Sequence, residues 1–405
     1  MDKVDIVIWG ATGFTGQLLA NYLWSNYGKK GDIKLALGGR DLTALKELST
    51  SIGANNAIDI IVGDAFDMRF LDEMTQHAKV IVSTVGPYAK YGSKLVEACA
   101  QNGCDYCDLA GEPQWILEMI TTYQDTAIAS GARIVNSCGF DSIPSDFGVY
   151  FLQQRAIQRD GKPLTSIKMR VKAMKGGVSG GTIASLFNII EDIRNDPSLA
   201  KRIKNPYALV TNGQKNPTRQ PNANKVQYDT YLKKWLAPFV MAGINCKIVH
   251  RSNALSNYSY GLDFTYEEAV STGDGWKGKL KALTYAYVLK SIFIGATFKP
   301  TRTLMKQLFL PKPGQGPSEE KRESGFYSLI FEGRDAQGNV LCAEVNGDKD
   351  PGYGSTCKML GESALCLLNQ RRENKVGTGG FYTPSIALGD ELLKRLETNA
   401  GLSFS

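Results

Sequence analysis

Three glycines, Gly10, Gly13 and Gly16, follow the apolar run Val4 to Trp9, and Leu18, Leu19, Tyr22 and Leu23 recur at helical spacing just beyond them. A buried strand, a glycine turn and a helix in that order make a phosphate cradle. Gly10 takes the tight turn, Gly13 has no Cβ to hold the backbone off a pyrophosphate, and Gly16 lets the helix pack close to the sheet. Thr12, Phe14 and Thr15 complete the expected cradle. The spacing is G-x-x-G-x-x-G rather than G-x-G-x-x-G, a wider turn common among reductases. The next apolar run, Ile33 to Leu37, ends in Gly38, Gly39 and Arg40, where an NAD enzyme carries a carboxylate for the ribose diol. A guanidinium there pairs bidentately with a 2′-phosphate, so NADP(H) is the expected cofactor. The competing reading makes Arg40 a solvated charge beside Asp41, the cap of the following helix.

Hydride transfer needs the nicotinamide laid against a substrate, water excluded, and a proton donor. Val85, Gly86 and Pro87 close the fourth strand, where a doubly wound reductase meets the nicotinamide ribose, and Tyr88 offers a phenol that either donates a proton or packs. After the sixth strand and Cys138 comes Gly139-Phe-Asp-Ser-Ile-Pro-Ser-Asp146. Asp141 is the expected polar contact to substrate or nicotinamide and joins Tyr88 as the catalytic pair. Ser142 and Ser145 face the same cleft, although Ser145 also reads as a helix N-cap with Asp146 in the first turn. A second glycine-rich helix start, with Ser179, Gly181 and Thr182, suits a substrate carbonyl or phosphate. Asp64, ending the third strand, joins the cofactor set.

These side chains need a scaffold, and the first 140 residues supply one by alternating strands with helices as an α/β, doubly wound parallel sheet does. Expected strands are Val4 to Trp9, Ile33 to Leu37, Ile58 to Val62, Val80 to Val85, Asp105 to Leu109 and Arg133 to Ser137. Residues 141–350 form an expected second α+β domain on a largely antiparallel sheet. Its strands lie at 167–173, 247–253, 258–266, 325–333 and 340–346, with a long loop over 201–234 and a hairpin turn at 335–339. Residues 351–405 give helices that fold back on the first domain.

A chain of 405 residues, 43% hydrophobic, fills two cores. Its first strand begins near residue 4, leaving no room for a signal peptide, and its eight scattered cysteines point to a reducing, cytoplasmic setting. Cys104 and Cys107 stand three apart on a strand and face opposite ways, so no metal site is expected. With only two histidines, His77 and His250, a catalytic or metal-binding histidine set has little material, and both read as structural. The net charge of +7 owes much to residues 275–318, which hold no acid but carry Lys277, Lys279, Lys281, Lys290, Lys299, Arg302, Lys306 and Lys312 among large apolar residues. That segment suits peripheral contact with an anionic membrane or a partner; the bland reading is a buried helix pair with solvated lysines. No nucleic-acid recognition motif accompanies the charge. A homodimer stays open.

The blocks GATGFTG from Gly10, VSTVGPYAKYG from Val82, DYCDLAGE from Asp105, NSCGFDSIPSDFG from Asn136, SGGTIAS from Ser179 and GGFYTPSIALGDELLKRL from Gly379 together resemble the saccharopine dehydrogenase-like oxidoreductases, in the branch of the mycobacterial trans-acting enoyl reductases. The resemblance spans nearly the whole chain and implies a Rossmann domain, a reductase-type substrate domain and NADP(H). The leading expectation is reduction of a C=C bond in an apolar or acyl-type small molecule. Alternatives are a saccharopine-like imine or amino-acid reductase, and a non-catalytic NADP-binding protein at a lipid surface.

Overall fold

A computed structural model describes residues 3–177, 180–211, 218–309, 315–375 and 377–405; Ser179, Lys312 and the side chain of Lys306 lie outside what is described. The first third alternates as β1 (Val4–Trp9), α1 (Phe14–Asn26), β2 (Leu35–Gly39), α2 (Leu42–Ser51), β3 (Asp59–Val62), α3 (Met68–His77), β4 (Ala78–Ser83), α4 (Tyr88–Tyr91), α5 (Ser93–Asn102), β5 (Asp105–Asp108), α6 (Pro113–Ser130) and β6 (Arg133–Val135). Strand residues alternate between faces: Ile6, Ile8, Leu37 and Val82 enter one core, while Val7, Trp9, Ala36 and Ile81 enter the other. Aspartates cap two of the helices, α2 and α3. Asp41 accepts from the Ala44 amide at 3.1 Å, and Asp67 accepts from Arg69 and Phe70 at 3.0 and 3.3 Å.

The chain continues as α7 (Ile143–Asp160), β7 (Ser166–Lys175), α8 (Gly180–Asn195), α9 (Ser198–Lys204), β8 (Gln227–Asp229), β9 (Lys234–Pro238), α10 (Ala242–Leu255), β10 (Thr265–Gly273), α11 (Gly275–Thr297), α12 (Lys299–Phe309), α13 (Glu319–Glu323), β11 (Phe326–Arg334) and β12 (Val340–Gly347). It ends with α14 (Gly354–Arg372), β13 (Gly380–Tyr382), α15 (Pro384–Thr398) and β14 (Leu402–Phe404).

Two seven-stranded sheets result. The first, in order β13-β6-β5-β4-β1-β2-β3, is parallel throughout. The second, in order β14-β12-β11-β7-β10-β9-β8, is antiparallel except where β7 meets β10. The segment after residue 350 does more than pack back: β13 extends the first sheet beside β6, and β14 extends the second beside β12. Helix α14 is locked down by Asp105, which accepts from Arg371 at 2.7 Å and from Arg133 at 2.5 Å, with the carboxylate fully buried. Removing one cation from such a cluster strands a buried charge.

Two expected strands fail. Residues 247–253 belong to α10, because Ile244, Ile248 and Ser252 follow the helical period although the Ile-Val pair favours a strand. The aromatic stretch from Tyr258 to Phe264 is turn, with Asn257, Tyr258 and Gly261 at φ of 54°, 57° and 98°; β10 starts only at Thr265. The expected loop over 201–234 also holds α9 and β8.

Candidate active site at the strand ends

The nucleotide turn has the shape its glycines require. Gly10 sits at φ 88°, and a Cβ there would lie 2.5 Å from Val85 Cγ2; a Cβ on Gly16 would lie 2.2 Å from the Gly10 carbonyl oxygen. Gly13 differs, since a Cβ would meet only that carbonyl, at 3.3 Å. Its space is open on the ligand side. Gly13 is also the N-cap of α1, with no side chain capping the helix. The first-turn amides of Phe14 and Thr15 therefore have no intrahelical acceptor and suit a pyrophosphate. Thr12 gives its carbonyl to Gln17 Nε2 at 2.8 Å, and the Thr84 hydroxyl braces the Gly10 carbonyl at 3.1 Å. At the end of β2, Gly39 is buried. Arg40 is exposed and forms no ion pair with any described carboxylate, while Asp41 caps α2 as the competing reading has it. Asp64 is exposed and accepts from the Phe66 amide at 2.8 Å, closing its own turn.

The ends of β4, β5 and β6 converge on three carboxylates. Asp108 is buried and accepts from the Ala110 and Ser137 amides at 3.0 Å each, Asn136 Nδ2 at 2.8 Å and the Tyr106 hydroxyl at 3.0 Å; burial still holds its pKa up at about 6. Glu112 is fully buried too. It accepts from the Tyr88 and Ala89 amides at 2.7 and 3.3 Å, capping α4, and from Ser185 Oγ at 2.9 Å and Asn188 Nδ2 at 3.4 Å on α8. One carboxylate thus ties the loop after β4 to a helix of the other half. Asp141 is unlike both. It is half-buried, no hydrogen bond to a described residue engages its carboxylate, and its Oδ1 lies beside Gly111. Burial and then the charge of Asp108 push its pKa up to about 7.

Tyr88 corrects an expectation. Its ring is buried, its hydroxyl donates to the Ser83 carbonyl at 3.0 Å and accepts from the Leu109 amide at 3.1 Å, and burial drives its pKa well above the usual phenol value. The phenol clasps the ends of β4 and β5, so it is not placed to donate to a substrate. Val85 and Pro87 are half-buried, and Gly86 is exposed, at the rim beside it; Cys138 is buried, with its amide on the Asp108 carbonyl at 2.7 Å.

Ser145 corrects another. Helix α7 begins at Ile143 with Ser142 at the N-cap, so Ser145 lies inside the first turn and caps nothing. Ser142 Oγ donates to Asn245 Oδ1 at 3.1 Å. Asn245 Nδ2 donates to Ser145 Oγ at 3.1 Å and to Glu268 Oε2 at 3.0 Å, and Tyr266 donates to Glu268 Oε1 at 2.8 Å. Both serines therefore face a buried polar chain under the cleft rather than its open side, and burial holds Glu268 at about 7. Asp146 accepts from Ser252 Oγ of α10 at 2.6 Å and from the Ser385 amide of the C-terminal segment at 2.8 Å.

The second glycine-rich start is brought to the first. The Gly180 amide donates to the Tyr353 hydroxyl at 2.8 Å, and the Tyr353 ring packs edge-on against Phe14 with centroids 4.9 Å apart. Gly181 is exposed and Thr182 half-buried at the start of α8, which therefore opens near the nucleotide turn.

Comparisons with known proteins fit this arrangement. A family model described as the saccharopine dehydrogenase NADP binding domain matches residues 6–135. A Mycobacterium tuberculosis protein bearing the name trans-acting enoyl reductase is 38% identical over 412 residues, covering 99% of this chain and 97% of its own. The chain belongs to the saccharopine dehydrogenase-like oxidoreductases, in the trans-acting enoyl reductase branch. The trans-acting enoyl reductase of Mycobacterium leprae is 34% identical over 407 residues, covering 97% of this chain and 96% of that one. Saccharopine dehydrogenase (L-Glu forming) of Saccharomyces cerevisiae shares the fold over 99% of both chains, with a TM-score of 0.53 and 15% identity.

As a member of this family the protein is an NADP(H)-dependent oxidoreductase, and the cradle fits that cofactor through uncapped α1 amides, open space at Gly13 and an exposed guanidinium at Arg40 that no described carboxylate pairs. Glu112 is not among the site residues expected from the sequence; its signal is a carboxylate directly before the helix-starting Pro113. Asn245 and Glu268 fall outside the strands expected at 247–253 and 258–266, and only α10 and β10 as folded bring them under the site.

Proposed function

We propose that this reductase adds hydrogen across a C=C bond conjugated to a carbonyl in an apolar, acyl-type substrate, with Asp141 as the proton donor. The observation that carries the reading is Asp141 itself: a carboxyl at the rim of the nicotinamide loop, unengaged by described residues and held near neutrality. An acid with a pKa near the working pH is half-protonated there and transfers its proton readily. Bound NADPH supplies the hydride. The α1 amides and Gly13 hold its pyrophosphate, Arg40 pairs with its 2′-phosphate, and Val85 to Pro87 set the nicotinamide edge. Asp141 Oδ gives its proton to the carbon α to the carbonyl, and its partial exposure lets solvent restore that proton. Glu112 keeps the loop and α8 in register.

A saccharopine-type substrate has several carboxylates and needs unengaged cations to hold them. Interior cations of the second half are already engaged: Arg170 with Asp229 and Glu267, Arg251 with the carbonyls of Leu209 and Phe381, and Lys247 with the Gly243 carbonyl. The names of the mycobacterial relatives support the enoyl assignment. The test follows NADPH oxidation with a long-chain trans-2-enoyl thioester and, separately, with an amino acid plus a 2-oxo acid. Turnover of the thioester to its saturated product is expected. Turnover of only the second pair overturns the assignment.

A further inference from the structure

Helix α11 is built inside out. Its inward face carries small residues, with Gly278, Ala282 and Ala296 buried, whereas Trp276, Leu280, Leu283, Tyr287 and Ile294 stand in water at 72%, 56%, 49%, 74% and 51% exposure. Those positions are i, i+4, i+7, i+11 and i+18, so at 3.6 residues per turn they fall within an arc of about 60°. A surface helix of a globular protein presents its polar side to solvent. This one presents an apolar ridge five side chains long, and α12 adds exposed Leu304 beside it. The start of α11 lies on β9 and β10, where Thr272 Oγ1 donates to the Gly278 carbonyl at 2.9 Å, and its far end joins a satellite cluster in which Ala296 packs on Phe187 and Ile190 of α8 with half-buried Met305 against it. Neither main core includes it.

The charge around the ridge has one sign. Residues 275–318 contain no Asp or Glu, and Lys277, Lys279, Lys281, Lys290 and Lys299 are all exposed. Arg302 does not share in this surface, for it is buried and paired with Glu191 at 3.6 Å. No helix among the described residues is long and apolar enough to cross a membrane, so the ridge can lie on a bilayer but not through it.

We infer that α11 and α12 form a docking platform that seats the protein on an anionic lipid surface, with the Trp276–Ile294 ridge among the acyl chains and the lysines at the phosphates. An apolar stripe edged by lysines, with aromatic residues along it, matches the chemistry of that interface. A second copy of this chain fits less well, because a two-fold contact along the ridge sets lysine rows against each other with no carboxylate between them. The platform lies beside the site. Helix α8, which anchors it, also carries Ser185 and Asn188 onto Glu112, and Gly316, just past α12, presses on the Phe14 ring of the nucleotide turn. Docking does not depend on the enoyl assignment.

The test is co-sedimentation of the full chain with vesicles of phosphatidylcholine alone and of phosphatidylcholine mixed equally with phosphatidylglycerol, with NADPH affinity measured in parallel as the check on folding. Binding at least about tenfold tighter to the mixed vesicles and weakened by salt is expected, with loss of about tenfold or more for Leu283→Asp/Tyr287→Asp at unchanged NADPH affinity. A milder variant, Lys277→Gln/Lys281→Gln, weakens only the mixed-vesicle binding. Equal binding to both vesicles, no binding to either, or undiminished binding by the Leu283/Tyr287 variant overturns the inference. So does a concentration-dependent dimer that this variant abolishes in the absence of any vesicle binding.

Discussion

Replacing Asp141 by Asn tests both the chemistry and the electrostatics of the site. The Asp141 carboxyl is raised from 3.8 to about 7, first by burial and then by the charge of Asp108. As the proton donor it is half-protonated near pH 7 and about one-tenth protonated at pH 8, so kcat falls close to tenfold per unit above that point. Asp141→Asn removes the limb and lowers kcat by ~10²–10⁴, the usual worth of a positioned acid. Stability moves the other way. A carboxyl raised in the folded state costs stability as pH climbs from 3.8 to 7, because the unfolded chain ionises first. About three units at ~1.4 kcal/mol each gives an upper bound of ~4 kcal/mol above pH 7, and solvent at the half-buried side chain reduces this to ~2 kcal/mol. At ~2.1 cal/mol/K per residue, that is roughly 2 °C in Tm for a chain of this length. The variant should therefore melt about 2 °C above the wild type at pH 8 and nearly together with it at pH 4. Steady-state rates from pH 6 to 9 and melting curves at both pH values decide the matter. A flat wild-type rate profile, or a variant that melts lower at pH 8, refutes the argument.

Three further outcomes follow from the same geometry. Gly16→Ala drives a Cβ to 2.2 Å from the Gly10 carbonyl oxygen and should lower stability by ~1–3 kcal/mol, whereas Gly13→Ala should melt like the wild type yet bind NADPH at least about tenfold more weakly; urea unfolding and coenzyme titration separate them. Arg40→Ala should weaken NADPH by about 10–100-fold and leave NADH unchanged, since only the 2′-phosphate is lost; equal losses for both coenzymes return Arg40 to a solvated charge. His250 is buried between Tyr207 and Phe264 with both ring nitrogens unpartnered among the described residues, and burial followed by the Lys247 charge holds its pKa at about 3. Below 6.5 the unfolded chain takes up a proton that the folded one refuses, so stability falls with pH; His250→Phe should recover up to ~2 kcal/mol at pH 5 and little at pH 8, as read by urea unfolding.

The first sheet was legible because local rules and tertiary structure agree there. Apolar runs of strand length, Asp and Pro at helix starts and glycines at the turns each carry their meaning within a few residues. The second half was harder. In α10 the Ile248-Val249 pair pulled the reading toward a strand, and only packing of Asn245 and Ser252 against α7 and the C-terminal segment shows that a helix is required. Strands β13 and β14 are three residues each, too short for a periodicity, and exist because β6 and β12 offer open edges to them.

By itself the sequence determined the nucleotide cradle, its preference for NADP(H) and the family. Those depend on residue types at fixed spacing within one strand-turn-helix unit and on short blocks that survive as strings. Tertiary structure decided which polar group at the strand ends is free to act. Tyr88, Ser145 and Asp141 are all cleft candidates in a string, and the hydroxyls are engaged in part by partners that come from 21 and 100 residues away. With Tyr88 held between two strands and Ser145 held by Asn245, Asp141 is the one of the three whose polar atoms no described residue engages. Tertiary structure also turned the large side chains of α11 outward, because the face that seats the helix buries the small residues Gly278, Ala282 and Ala296.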